Sequence, residues 1–368
     1  MSRKSKPLII IATGGTGGHV FPAQSLAEEM VASGWRVKVW MDHRVKALAK
    51  NFPPESQCDL IPSKPFSQKS LLAKVGVALI LSWSLLVVLG KILGDRPARL
   101  VGFGSYATFT PLLGGMLLGI PSIIHEQNGN MGIVNRLFSK RVRVVASGSH
   151  SPQFPSGTNW VFTGNPIRKE ILSSLGHVYE FTYDQKITVL VIGGSQGARI
   201  FDQTIPAAIS GLPGELLQRL SIHQQVREEN LSEVESLYQG LGVDYAIKPF
   251  FSNIPELMTK SQLIIARSGA SSIAEITAMG LPSILVPFAG ASNDEQAINS
   301  RPLEKAGAAI VLGENILRPE LMSEAISSIL GNPEKARQMS AASKSLGVAD
   351  AAKRLGDLIN NPESGDKN

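Results

Sequence analysis

Short apolar runs alternate with amphipathic stretches along the whole chain. The runs predict strands at 8–12, 36–41, 99–102, 122–125, 143–146 and 160–162, and a second set at 187–192, 220–225, 244–247, 262–266, 283–286 and 308–311. Helical spacing fills most of the gaps, at 21–33, 44–50, 107–118, 199–209, 270–279, 295–306 and 319–330. This alternation predicts parallel sheets covered by helices, so the fold class is α/β. Two sets of strands predict two doubly wound sheets. A loop at 148–158, rich in Ser, Pro and Gly, precedes Gly164-Asn165-Pro166, where the domain boundary is placed. The domains are then 1–164 and 165–346. Both open alike: a strand runs into Gly-Gly-Thr-Gly-Gly at 14–18 and another into Gly-Gly-Ser-Gln-Gly at 193–197. Residues 360–368 read as a frayed tail.

One apolar stretch departs from the pattern. Val75–Gly90 carries no charge and is bracketed by Lys74 and Lys91, with Lys69 nearby. It is shorter than the roughly 20 residues that span a bilayer. Three readings stand: a spanning helix, a buried core helix and a helix dipping into a membrane interface. The lysines and Trp83 favour the last, because lysines attract anionic headgroups and indoles settle at the interface.

Composition narrows the function. The chain has 368 residues, 43% of them hydrophobic and 18% charged, as a globular protein does. Cys58 is the single cysteine, which excludes a disulfide framework and a cysteine-based zinc site. A net charge of +6 suits an anionic partner. Nucleic acid fits least well, since basic residues form no run beyond Arg3-Lys4-Ser5-Lys6. The apolar run that follows ends at Ala12, too short for a secretory signal, and reads as the first strand.

The glycine loops carry the candidate chemistry. A loop between strand and helix brings backbone N–H groups close to phosphate, with a helix dipole behind them. His19 falls near the start of the first such helix. The positive end of the dipole favours a neutral imidazole, a form able to act as a general base. A loop-capping histidine is the structural alternative. Gly15-Thr16-Gly17 also begins a dinucleotide fingerprint, with Asp42 where a ribose-binding acid would sit, although Val20 stands at its last glycine position. Arg267–Glu275 places small residues at another helix start, with Glu275 spaced to accept from a ribose diol. Pro166 is read as opening a helix, with Arg168 in its first turn as a phosphate ligand. His125-Glu126-Gln127-Asn128 ends a strand on the edge where parallel sheets bind ligands, and this polar row is read as facing one. No Asp-x-Asp occurs, so the usual carboxylate cage for a sugar-nucleotide metal is missing from the sequence.

Taken together, GGTGGHVFPA (14–23), GFGSYATFTP (102–111), HEQNG (125–129), GNPIR (164–168), GGSQGA (193–198) and RSGASSIAE (267–275) resemble one family over nearly the whole chain. It is the bacterial undecaprenyldiphospho-muramoylpentapeptide β-N-acetylglucosaminyltransferases, the MurG family of lipid II synthesis. The resemblance implies a GT-B fold, two Rossmann-like domains facing a central cleft. It implies inverting transfer of GlcNAc from UDP-GlcNAc to the 4-hydroxyl of the MurNAc of lipid I. The first domain would hold the acceptor and the second the donor, with a C-terminal helix at about 347–360 packing back on the first. His19 would be the base, with Glu126 and His125 in reserve. Substrate-binding positions map onto Thr16, Gly17, Gly18, Asn128, Arg168, Ser195, Phe251 (at the uracil), Ala270, Ser271, Ser272, Ile273, Ala274, Glu275 and Gln296. Asp294-Glu295 departs from the family pattern before Gln296, and Phe103 and Ser105 make the second loop less glycine-rich. No cofactor or metal is required by the resemblance, with divalent-metal stimulation left open. The implied location is peripheral, on the cytoplasmic face of the bacterial plasma membrane. Lys69, Lys74, Trp83 and Lys91 would meet the anionic surface, and other cell-wall synthesis proteins are conceivable partners. The competing readings are a GT-B transferase with another acceptor, a dinucleotide-dependent oxidoreductase using Asp42, and an inactive nucleotide-binding scaffold.

Overall fold

The computed structural model describes residues 6–65, 70–194, 197–291 and 294–361. The chain forms two compact units, Met1–Arg168 with Asp350–Asn368, and Lys169–Ala349. In the first, β1 (Leu8–Ala12), β2 (Arg36–Met41), β3 (Gln57–Leu60), β4 (Arg99–Gly102), β5 (Ser122–Glu126), β6 (Val144–Ser147) and β7 (Trp160–Phe162) form one sheet. Its order is β3-β2-β1-β4-β5-β6-β7. In the second, β8 (Ile187–Ile192), β9 (Leu220–Gln225), β10 (Asp244–Lys248), β11 (Leu263–Ala266), β12 (Ser283–Leu285) and β13 (Ala309–Val311) follow the order β10-β9-β8-β11-β12-β13. The strand pairs run parallel. Each sheet therefore reverses its winding beside its opening strand, at β1/β4 and at β8/β11.

Burial explains why the central strands are continuous apolar runs. Ile9 and Ile11 point into one layer of core and Ile10 into the other, all at most 1% exposed. The helix α1 (Gly17–Ala32) covers the first layer with Val20, Ala23, Leu26, Ala27 and Met30. The helix Ala351–Asn360 joins that layer through Leu355, Leu358 and Ile359. Trp35 Nε1 donates to Asn360 Oδ1 at 3.1 Å, and Arg99 Nε to the Ile359 carbonyl at 3.2 Å. β3 is absent from the sequence expectation because Gln-Cys-Asp-Leu is an edge strand, exposed or half-buried throughout, and carries no apolar run. The stretch at 44–50 forms a 3₁₀ run, His43–Asn51, capped by Asp42.

The apolar segment is one long helix, α2 (Leu71–Gly94). Val77, Ser84, Val88 and Ile92 are its buried stripe. That stripe packs on α3 (Phe109–Leu117), where Ser84 Oγ and Thr110 Oγ1 lie 2.8 Å apart. A Cβ on Gly114 would sit 2.5 Å from Val88 Cγ1, so this close approach requires glycine. The opposite face leaves Val75, Leu79, Trp83, Leu86 and Leu93 more than half exposed. Neither a fully buried core helix nor a fully exposed one describes α2. By length and composition alone, Lys74–Gly94 could cross a membrane.

Candidate active site

Loops leaving a doubly wound sheet on either side of its switch point diverge and open a crevice at the carboxyl edge. In the first unit these are the loops after β1 and β4. They lie against each other. A Cβ on Gly14 would stand 2.6 Å from Ala107 Cβ, and one on Gly15 2.7 Å from Ser105 Oγ. Gly15 and Gly104 both have φ of +86°, a conformation that favours glycine. Ser105 holds φ 68° without that freedom, which is local strain beside the crevice. Thr16 is the N-cap of α1 and, like Gly18, is exposed; Gly17 is half-buried.

Asp42 is occupied within the protein. Its Oδ2 accepts from the Gly15 N–H at 3.2 Å and from Arg44 Nη2 at 2.9 Å, and its Oδ1 accepts from the Arg44 N–H at 3.0 Å. It is 3% exposed. The acid read as a ribose ligand instead ties the first loop to the 3₁₀ run, which removes the main support for a dinucleotide site.

His19 lies half-exposed in the first turn of α1. Its Nδ1 is 3.0 Å from Gln127 Oε1. Gln127 Nε2 in turn reaches the Phe103 carbonyl at 3.2 Å and His125 Nδ1 at 3.1 Å. His125 Nε2 lies 3.0 Å from the Gly164 carbonyl. Burial holds the His125 imidazole down at about 4; the Gly164 carbonyl pulls the other way, and His19 adds a smaller lowering. Glu126 is 1% exposed and clamps the turn after β5. It accepts from the N–H groups of Asn128 (3.1 Å) and Gly132 (3.0 Å) and from Asn135 Nδ2 (2.8 Å). The polar row therefore departs from expectation: His125, Glu126 and Gln127 are spent on internal hydrogen bonds, and only Asn128 is partly exposed. The Gly164–Arg168 stretch also differs. The short helix begins at Lys169, so Pro166 does not open it and Arg168 precedes its first turn. The Arg168 guanidinium stands 5.4 Å from the Phe21 ring centre.

In the second unit the switch-point loops follow β8 and β11. Gly194 and Gly197 have φ of +84° and +69°, and the Gly193 N–H donates to Gln225 Oε1 at 3.1 Å. Ser195, between them, lies outside the described residues, as does Lys69 in the first unit. The helix Ala270–Met279 starts directly after β11, with Gly269 as an N-cap that offers no side-chain hydrogen bond. Its positive dipole end thus lies beside the switch point. Ala270, Ser271, Ser272, Ile273, Ala274 and Glu275 are all half-buried there. Gln296, half-exposed on the helix Glu295–Lys305, accepts the Phe288 N–H at 3.0 Å. Arg267 braces the same loop. Its guanidinium donates to the Val286 carbonyl at 3.1 Å and to Glu314 Oε1 at 2.7 Å, while Glu314 Oε2 accepts the Ala289 N–H at 2.7 Å. Burial raises the Glu314 carboxyl, but the Arg267 and Ala289 hydrogen bonds and the Arg267 charge outweigh it, and the net direction is down. Phe251 is 5% exposed, packed by His223 and Lys248, whereas Phe250 beside it is 74% exposed.

Two family models match: the glycosyltransferase family 28 N-terminal domain over residues 9–147, and the family 28 C-terminal domain over 188–355. The chain belongs to glycosyltransferase family 28. Within the family it is 37% identical to the UDP-N-acetylglucosamine–N-acetylmuramyl-(pentapeptide) pyrophosphoryl-undecaprenol N-acetylglucosamine transferase of Rhodopseudomonas palustris, covering 96% of this chain and 97% of that protein. The protein of the same name from a Methylobacterium species is 38% identical, with 96% of each covered. The crystal structure of Acinetobacter baumannii MurG superposes with a TM-score of 0.77 at 24% identity, over 97% of this chain and 99% of that one. It shares the fold. As a family 28 member the chain is a glycosyltransferase.

Three features of the two units have no local signal in the sequence. Gln127 stood in the polar row as one of four similar side chains, and nothing there singled it out as the partner of His19. Phe250 is the exposed member of an adjacent pair with Phe251, and adjacent aromatics in a loop carry no periodicity to say which one faces out. Arg267 was part of a motif, but its ion pair with Glu314 spans 47 positions and has no local signal.

Proposed function

We propose that this chain transfers GlcNAc from UDP-GlcNAc to the 4-hydroxyl of MurNAc in undecaprenyl-diphospho-MurNAc-pentapeptide. The end-to-end likeness to relatives of that name supports the substrates. One observation carries the chemistry: a half-exposed imidazole, His19, held through one ring nitrogen at the carboxyl edge of the first sheet. His19 is the base. The 4-hydroxyl oxygen attacks C1 of GlcNAc, its proton passes to His19 Nε2, and the C1–oxygen bond to UDP breaks, leaving the electron pair on the diphosphate. Attack opposite the leaving group inverts C1. His125 and Glu126 act behind this centre, one orienting and one holding the turn that carries Asn128.

The second unit takes the donor. The start of the helix at Ala270 and the loop holding Ser195 receive the diphosphate, whose growing charge the amide dipoles stabilise. Glu275 accepts from the ribose hydroxyls, Gln296 meets GlcNAc, and Phe250 or the backbone at Phe251 meets uracil. In the first unit, Thr16, Gly17, Gly18, Asn128 and Arg168 are the proposed substrate-binding positions. The exposed face of α2, with Lys74 beside Val75 and Trp83 at its centre, docks on the anionic cytoplasmic membrane surface that holds the acceptor. Lys91 contributes less, because Asp59 neutralises it at 3.2 Å. The test is transfer of labelled GlcNAc from UDP-GlcNAc to a short-chain lipid I analogue. A β-1,4-linked product is expected; binding of UDP-GlcNAc with no transfer would reduce the chain to a scaffold.

A further inference from the structure

We propose that Gln127 is a positioning residue that fixes which nitrogen of His19 is free, and that His125 sets the orientation of Gln127. The inference rests on the reading of His19 as the base. A carbonyl oxygen can only accept, so the Gly164 carbonyl requires the proton of neutral His125 to sit on Nε2. His125 Nδ1 is then a bare lone pair. The Gln127 side chain approaches it with one end, and that same end meets the carbonyl oxygens of Phe103 and His125, at 3.2 and 3.3 Å. An acceptor there would face three acceptors, so this end is the amide nitrogen. Gln127 Oε1 is thereby turned to His19, where it can only accept, and His19 Nδ1 must carry the proton. His19 Nε2 is left with its lone pair for a hydroxyl.

The chain of contacts differs from a histidine backed by a carboxylate. An amide accepts one hydrogen bond without adding negative charge, so it selects the tautomer without placing a counter-charge beside the ring. Nor can a proton travel down it. When His19 becomes imidazolium, Nδ1–H still donates to Gln127, and the proton gained at Nε2 has no exit through the amide. Burial keeps both supports in place: Gln127 is 3% exposed and His125 0%. Gly104 lies alongside, where a Cβ would sit 3.2 Å from Asn135 Nδ2 and in van der Waals contact with His19 Cε1 at 3.4 Å.

The direct test needs no variant. In protein with nitrogen-15-labelled histidine, long-range proton–nitrogen correlations distinguish an imidazole protonated on Nδ1 from one protonated on Nε2. His19 should be the Nδ1–H form and His125 the Nε2–H form; His19 protonated on Nε2 would overturn the proposal. Kinetics give the second arm. Gln127→Met keeps the length and removes the acceptor. It should lower kcat by about 10- to 100-fold, leave KM for UDP-GlcNAc within about twofold, and shift His19 towards the other tautomer while His125 keeps its own. In His19→Ala, adding Gln127→Met should cost nothing further, because Gln127 acts only through His19. A further large loss in the double variant, or an unchanged kcat in the single one, contradicts the positioning role. If His19→Ala itself retains full activity, the base assignment fails instead.

Discussion

The buried His125 behind His19 should make the first unit sensitive to acid. An unfolded His125 takes up a proton near 6.5, whereas the folded one resists until about 4. Between those values the unfolded chain binds more protons. The stabilisation is complete above about pH 6.5 and is lost as pH falls towards 4, on the order of 3 kcal/mol. Hydrogen-exchange protection of β5 should fall across that window, and His125→Gln should flatten the dependence. At Gly104, alanine would adopt a disfavoured positive φ and crowd Asn135 Nδ2 at 3.2 Å, with the His19 ring in van der Waals contact at 3.4 Å. We expect Gly104→Ala to reduce kcat by about tenfold or more with donor affinity unchanged, as judged by calorimetry with UDP-GlcNAc. At this scale the sequence is legible for residue types and poor for partners. His19 at a helix start was readable. Its contact with Gln127, 108 positions away, was not, and Asp42 misled because its neighbours in space consume the carboxylate.

Elements were easier to read than the contacts between them. Continuous apolar runs marked the central strands because both faces of a parallel sheet are buried. β3 failed that rule as an edge strand. α2 passed as a helix, but its two faces were decided by α3, which covers one and leaves the other. That uncovered face predicts membrane binding. Trp83→Glu with Leu86→Glu should release the protein from anionic vesicles in flotation, while soluble-acceptor activity persists; unchanged flotation would remove the membrane role of α2. In the second unit, Arg267 and Glu314 pin the loop that Gln296 also grips. Removing one partner of so buried a pair leaves a charge unmatched. Arg267→Met should destabilise the unit by about 3 kcal/mol and raise KM for UDP-GlcNAc, measured by thermal unfolding and initial rates.

For the molecule as a whole, two sheets of the same winding place two crevices at equivalent switch points, and the sequence showed this in its two glycine loops. The proposed division of labour, acceptor in the first unit and donor in the second, is not visible in either loop alone. Its consequence is nucleotide selectivity: UDP should raise the unfolding temperature of the second unit, and NAD should not. Proton removal by His19 is the central step of the proposed transfer, and single-turnover transfer to a lipid I analogue tests it most directly. With donor and acceptor both saturating, His19→Ala should slow transfer by about 10²- to 10⁴-fold while the Kd for UDP-GlcNAc stays within about twofold. Transfer by His19→Ala at the unmodified rate would contradict it.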